Sequence, residues 1–219
     1  AEAPDAWPCW SYSNHDTVRH ISRWGLDDRA ARSYLMLLLT LRGSVCLYQG
    51  EELGLPEAEI AFEDLQDPYG IEFWPEFKGR DGARTPMVWQ TDNGQGGFST
   101  AAKSWLPVTA PHLARSVAAQ AGRPDSLLEY YRAALAFRRA HPVLAGGGMS
   151  SVTVNGDVVG FTRQGDAHLF CAFNLGPGAA RVAVPAGNWK PLAQDLGGVS
   201  PDAGGVALPG WGFVILEKG

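Results

Sequence analysis

The sequence predicts an α/β chain: a strand–helix–strand unit with parallel strands, then a separate antiparallel β domain. Three observations carry this. An apolar, aromatic run, Trp7-Pro8-Cys9-Trp10, ends abruptly in the polar cluster Asn14-His15-Asp16, as a strand buried on both faces does. A second short apolar run, Ser44-Val45-Cys46-Leu47-Tyr48, also ends in polar residues, Gln49-Gly50-Glu51-Glu52, and a helical pattern separates the two. After Gly146-Gly147-Gly148 the apolar period changes to two.

Each element has its own signals. Residues 27–42 read as a helix with acidic residues in the first turn and Gly43 as terminator; its second half is apolar nearly all round, so it packs on more than one neighbour. Residues 53–122 show no sustained period of either kind. Their aromatic content (Phe73, Trp74, Phe77, Trp89, Trp105) predicts an ordered lid rather than a disordered segment, or else a small subdomain with no catalytic duty. Residues 126–140 form an amphipathic helix, with Ser126-x-x-Glu129 as a capping box, Leu127, Leu128, Tyr131, Ala134 and Leu135 on one face, and Pro142 as the stop. Strands follow at 151–154, 158–164, 168–175, 180–185 and 206–217, with Asn155-Gly156 and Gly165-Asp166 as hairpin turns. The domain boundary is placed between residues 1–145 and 146–219.

Composition narrows the function classes. With 219 residues, 45% hydrophobic and 19% charged, the chain has the make-up of an ordinary globular protein. A net charge of −5 gives no footprint for nucleic acid, and no window is apolar enough to span a bilayer. Cys9, Cys46 and Cys171 are odd in number and widely spaced in apolar runs. They read as buried reduced thiols, not a disulfide framework or zinc site, which favours the cytoplasm. The opening Ala1-Glu2-Ala3-Pro4 has neither an initiator Met nor a signal-peptide pattern, so the chain reads as the C-terminal part of something longer.

The chemistry-bearing residues sit at strand ends. In an α/β barrel such ends meet in one mouth, which places Asp16 and His15 at a candidate site. Blander roles compete for each residue. Asp16 can cap the following helix, His15 can be a core histidine, and Arg84 can pair with Asp81 on the surface. Glu51 and Glu52 on an extended segment would point to opposite sides and serve the rim structurally. Arg19 reads as a brace for the loop.

Three motifs occur in order: Ser13-Asn14-His15-Asp16-x-x-Arg19, Tyr48-Gln49-Gly50-Glu51-Glu52-Leu53-Gly54, and Gly79-Arg80-Asp81-Gly82-Ala83-Arg84-Thr85-Pro86-Met87-x-Trp89. Together they closely resemble the C-terminal half of the bacterial α-glucosidases of glycoside hydrolase family 13, the oligo-1,6-glucosidase type among them. The resemblance covers essentially the whole chain. It implies the last part of a (β/α)8 TIM barrel over residues 1–145 (strands seven and eight, a long loop and the last helix), then a β-sandwich over residues 146–219. It implies that Asp16 is the family's third carboxylate, which grips sugar hydroxyls and stabilises the transition state without attacking or protonating. His15 would bond a neighbouring hydroxyl, and Arg84 would close the pocket with an aspartate from the N-terminal half of the barrel.

The activity implied is that of a retaining exo-α-glucosidase. It would release terminal glucose from an α-glucoside or a malto- or isomalto-oligosaccharide, with no cofactor, metal, nucleic acid or membrane involved. The nucleophilic Asp and the acid/base Glu belong upstream, and neither motif is present here. The alternatives are a transglycosylase or isomerase of the sucrose- or trehalose-handling type, and a catalytically inactive barrel acting as a binding subunit.

Overall fold

The structure, a computed structural model, describes residues 6–91 and 94–219; the opening residues 1–4 lie outside the described part. Strand β1 (Cys9–Trp10) is followed by helices α1 (His20–Arg23) and α2 (Asp28–Thr40) and by strand β2 (Ser44–Val45). β1 and β2 pair in parallel, Cys9 opposite Ser44 and Trp10 opposite Val45, so the expected strand–helix–strand unit is present. Its strands are shorter than the apolar runs that predict them, with only two residues each in the ladder, and against expectation they are not buried on both faces: Cys9, Trp10 and Ser44 are exposed. α2 buries Ala30, Ala31, Ser33, Leu35–Leu39 and Thr40, which is the all-round burial its composition demands. Gly43 turns the chain from α2 into β2 at φ +133°, where a Cβ would lie 2.5 Å from the Pro8 carbonyl oxygen. Only glycine fits there.

The described residues of 53–122 (53–91 and 94–122) are ordered, but for a different reason from the one expected. Short helical pieces follow one another: turns of 3-10 helix at Glu51–Leu53, Phe62–Asp64 and Asp81–Ala83, then α3 (Pro68–Glu72), α4 (Ala110–Leu113) and α5 (Val117–Gln120). Aliphatic side chains hold them. Leu53, Leu55, Val88 and Leu128 form one cluster; Ala58, Ile60, Leu65 and Leu106 form another, with Trp74 against it. Phe73, Phe77, Trp89 and Trp105 are exposed, so most of the aromatics in this segment do not build its core.

α6 (Leu127–Ala140) buries Leu127, Leu128, Tyr131 and Ala134. The Ser126 half of its capping box is made. Ser126 Oγ accepts from the Glu129 N–H at 3.3 Å, but Glu129 Oε1 turns to the Gly122 N–H at 2.8 Å. After α7 (Pro142–Gly146) come β3 (Gly148–Asn155), β4 (Val158–Gln164), β5 (His168–Asn174), β6 (Ala180–Val182), β7 (Trp189–Pro191), β8 (Val206–Leu208) and β9 (Phe213–Lys218). Five of these form a sheet in the order β3-β4-β5-β9-β7; β6 and β8 pair separately. The expected strand over 206–217 is two strands, interrupted at Pro209–Gly212, and β7 was not foreseen at all. Phe170, Ala172, Val214 and Leu216 pack on Val206 and Leu208 of the small sheet, while Phe161, Phe173 and Phe213 stack on the other side with centroids 6.1 and 5.8 Å apart. β5 and β9 are thus buried on both faces, which explains their unbroken apolar runs.

By contact density one compact unit gathers residues 6–10, 29–45 and 131–219, and the other holds residues 11–28 and 46–130. The three thiols are free, but only Cys171 is buried; Cys9 and Cys46 are exposed, against expectation.

Candidate active site

The site residues all lie in the second unit. The chain after β1 enters a tight turn in which Asn14 Oδ1 accepts from the Asp16 N–H at 2.8 Å and from Thr17 Oγ1 at 3.4 Å. Asn14, not Asp16, therefore organises the turn. Helix α1 has no side-chain cap, so the capping role considered for Asp16 is not the one it plays. Its carboxylate is left for other partners.

Those partners come from the Gly79–Pro86 loop. Arg84 donates from Nη2 to Asp16 Oδ1 at 2.9 Å and from Nε to the His15 carbonyl at 2.8 Å. Residues 68 positions apart are thus brought into contact, although the resemblance implies an aspartate of the N-terminal half as the partner of Arg84. Arg84 does not pair with the Asp81 carboxylate, whose Oδ2 instead accepts the backbone N–H groups of Gln66 and Asp67 at 2.6 and 2.8 Å. His15 Nε2 stands 3.4 Å from Asp16 Oδ2, and its side chain is 68% exposed, so it is no core histidine. Desolvation pushes the Asp16 carboxyl up, but His15 and the bonds from Arg84 and Arg80 outweigh it and hold the group below the usual carboxylate value.

Arg80 is the residue the sequence reading missed. It donates to Asp16 Oδ1 from Nη1 at 3.1 Å, so one carboxylate oxygen takes two guanidinium groups. The remaining oxygen, Oδ2, faces His15. Arg80 and Arg84 are separated by one helical turn, which the 3-10 turn at Asp81–Ala83 provides.

Behind this front the supports are buried. Arg19 is 1% exposed and donates to the carbonyls of Gln49 and Ala83 at 2.7 and 3.0 Å, with its guanidinium over the Tyr48 ring. It braces the loop. Ser13 Oγ contacts His20 Nδ1 at 3.0 Å, and Glu51 approaches the same nitrogen at 3.7 Å. Glu51 and Glu52 sit on a 3-10 turn, not the extended segment expected: Glu51 is buried, and Glu52 accepts the Gly50 N–H at 2.8 Å. Burial pushes the Glu51 carboxyl up to about 7 and the His20 imidazole down to about 4.

A hollow of 270 Å³ adjoins Arg84, lined also by Gln49, Met87, Phe98 and Trp105. The larger hollow of 570 Å³ around Arg115 and Arg123 includes none of the residues that contact Asp16. Among the described residues no group of three or more His, Cys, Asp or Glu side chains is placed to hold a metal ion, and no helix is long and apolar enough to cross a membrane.

A parallel strand–helix–strand unit followed by an antiparallel β domain is the order found in the last part of a (β/α)8 barrel with its β-sandwich, the fold that the matches below carry. Residues 2–147 match the alpha amylase catalytic domain, and residues 147–215 match a domain of unknown function, DUF3459. The chain belongs to the α-amylase family. It is 51% identical over 216 residues to a probable alpha-glucosidase of Rhizobium meliloti (strain 1021), covering 96% of this chain and 39% of that protein. An oligo-1,6-glucosidase of Heyndrickxia coagulans is 29% identical over 214 residues, covering 87% of this chain and 38% of that protein. Among solved structures, the alpha-glucosyl transfer enzyme XgtA superposes with a TM-score of 0.90 at 45% identity, covering 97% of this chain and 40% of that one. The chain thus spans about two fifths of the length of these proteins.

Proposed function

We propose that this chain supplies the transition-state-stabilising part of a retaining α-glucosidase acting on terminal, non-reducing α-linked glucose of short oligosaccharides. The observation that carries the reading is the Asp16–Arg84 contact at 2.9 Å, made between two motifs far apart in sequence. Glycoside hydrolysis develops positive charge at the anomeric carbon, so an ionised carboxylate gripping ring hydroxyls favours the transition state over the ground state. Asp16 suits that task because its pKa is held low and Oδ2 faces away from the two arginines. His15 bonds an adjacent hydroxyl, and Arg84 closes the pocket around the non-reducing end. The nucleophile and the acid/base come from the N-terminal half of the barrel. The division into a barrel portion over residues 1–145 and a β-sandwich over residues 146–219 is part of this proposal, as is the cytoplasm as its compartment, which the three free thiols support.

The test is Asp16→Asn in the assembled enzyme, this sequence in continuity with the upstream part its relatives possess. It lowers kcat on maltose by about a thousandfold with the fold unchanged. Near-normal turnover would end the assignment. A second reading, glucosyl transfer, is supported by the 45% identity to an enzyme described as an alpha-glucosyl transfer enzyme. Product analysis separates the two: free glucose for hydrolysis, new glucosides for transfer.

A further inference from the structure

The Asp16 carboxylate is held by an arrangement larger than the pocket residues themselves. Asp67 lies at the start of α3 with its side chain fully buried. Burying a carboxylate is costly unless it is paired and hydrogen-bonded. Asp67 meets that requirement almost entirely through one residue. Arg80 donates from Nε to Oδ2 at 2.8 Å and from Nη2 to Oδ1 at 2.9 Å, a two-pronged fork, and adds its backbone N–H to Oδ2 at 2.8 Å. The Tyr69 ring lies 5.5 Å from the Arg80 guanidinium carbon, and the Tyr69 N–H also bonds Asp67.

The loop is shaped for this approach. Gly79 adopts φ +76°, and a Cβ there would come within 3.0 Å of Asp67 Oδ2. From below, Asp81 Oδ2 fixes the backbone of Gln66 and Asp67. The fork fixes both the position and the plane of the guanidinium. What remains of it, Nη1, is aimed at Asp16 Oδ1.

This arrangement gains little as a stability device, because a buried ion pair rarely exceeds its desolvation cost. It does fix a cation in space. Asp16 is half-exposed, whereas Arg80 cannot follow a change in its rotamer without leaving Asp67. We propose that Arg80, clamped by buried Asp67, is a positioning residue that holds Asp16 Oδ1 so that Oδ2 is presented to the sugar. The inference rests on the reading of Asp16 given above. Arg84 differs in role: among the described residues its guanidinium bonds the half-exposed Asp16 and the His15 carbonyl, and it lines a hollow.

The experiment compares Arg80→Lys, Asp67→Asn and Asp16→Asn in the assembled enzyme, with maltose and p-nitrophenyl α-glucoside as substrates. A lysine places one point charge on Asp67 and cannot fork it while also reaching Asp16. An asparagine at 67 loosens the clamp. Either change leaves Asp16, which is faced by His15, Arg80 and Arg84, with one fewer fixed cation. Its carboxyl then titrates higher. Both variants are expected to lower kcat about 30-fold or more with KM within threefold, and to move the acid limb of kcat/KM up by roughly half a pH unit.

Unchanged kcat would overturn the proposal. So would a loss of kcat with the acid limb unmoved, which a merely structural role would also give. Should Asp67→Asn not fold, Arg80→Lys decides alone, because that side chain is partly exposed. The Asp16→Asn arm keeps the two ideas apart: if it retains turnover, the site reading has failed; if it alone loses turnover, the site reading stands and the positioning role falls.

Discussion

At the residue scale, Glu51 and His20 form a buried pair whose protonation is set by desolvation, with the Arg23 and Arg19 charges lowering His20 further. Near neutral pH the imidazole is uncharged and the carboxyl is close to its midpoint. The signs are opposite. Because the folded Glu51 pKa is raised from 4.5 to about 7, its contribution is complete below about 4.5 and is lost as pH rises through about 7. Because the folded His20 pKa is depressed from 6.5 to about 4, its contribution is present above about 6.5 and is lost as pH falls towards 4. The two slopes oppose each other between pH 4.5 and 6.5, so Glu51→Gln is expected to leave the rise due to His20 unopposed there, and to exceed the unmodified protein at pH 8 by roughly 1–3 kcal/mol. Thermal melts across that range check it, and parallel curves for the two proteins would contradict it. Arg84→Lys carries a separate expectation. A lysine cannot serve both Asp16 and the His15 carbonyl, so kcat/KM should fall about tenfold or more for maltose and less for longer chains. Equal losses on both substrates would count against a role at the non-reducing end. Asp16 and Arg84 stand out in the sequence because they lie within recognisable motifs, and the roles proposed for them rest on that resemblance. Arg80 does not stand out, because an arginine beside Asp81 in a polar loop reads as surface charge until the buried Asp67 behind it is seen.

At the element scale the most exacting requirement falls on Arg163 in β4. Its side chain is fully buried, and it donates to the carbonyls of Thr40, Val143, Leu144, Gly147 and Gly148. Burial lowers its pKa to about 10, so it stays charged at neutral pH. One guanidinium thus ties the end of α2, helix α7 and the start of β3 to the sheet. Arg163→Met should leave these carbonyls short of a donor and cost about 3 kcal/mol or more, read as a melting temperature several degrees lower. A change under 1 kcal/mol would mean water replaces the donor. None of this was visible in sequence, where Arg163 sits in a strand reading of period two. The same period located β4 and β5 well because their ends coincide with turn residues, Asn155-Gly156 among them. It failed at β7, where Trp189-Lys190-Pro191 is too short to show a period and pairs with β9 at the sheet edge. It also ran β8 and β9 together, since Pro209, Gly210 and Gly212 interrupt the ladder without interrupting the apolar character.

At the scale of the whole molecule, the parallel unit, the long irregular segment and the antiparallel domain were all readable in order. Their grouping was not. Contacts gather α2 and most of α6 with the β domain, because Arg138 bonds the Leu39 and Gly43 carbonyls and Arg163 bonds that of Thr40, links that no local pattern announces. The last expectation concerns what 219 residues can do alone. Retaining hydrolysis needs a nucleophilic carboxylate and a separate acid/base carboxyl flanking the bond. Asp16 is neither in the proposed site. Asp67 and Asp81, which face the loop of Arg80 and Arg84, are committed to the Arg80 fork and to backbone N–H groups. The isolated chain should therefore release no glucose from maltose or p-nitrophenyl α-glucoside above background. Joined to the upstream part its relatives possess, the same chain should turn over both. Turnover by the isolated chain that disappears with Asp16→Asn would place a second working carboxyl within these residues, and the division of the site between two halves would be wrong.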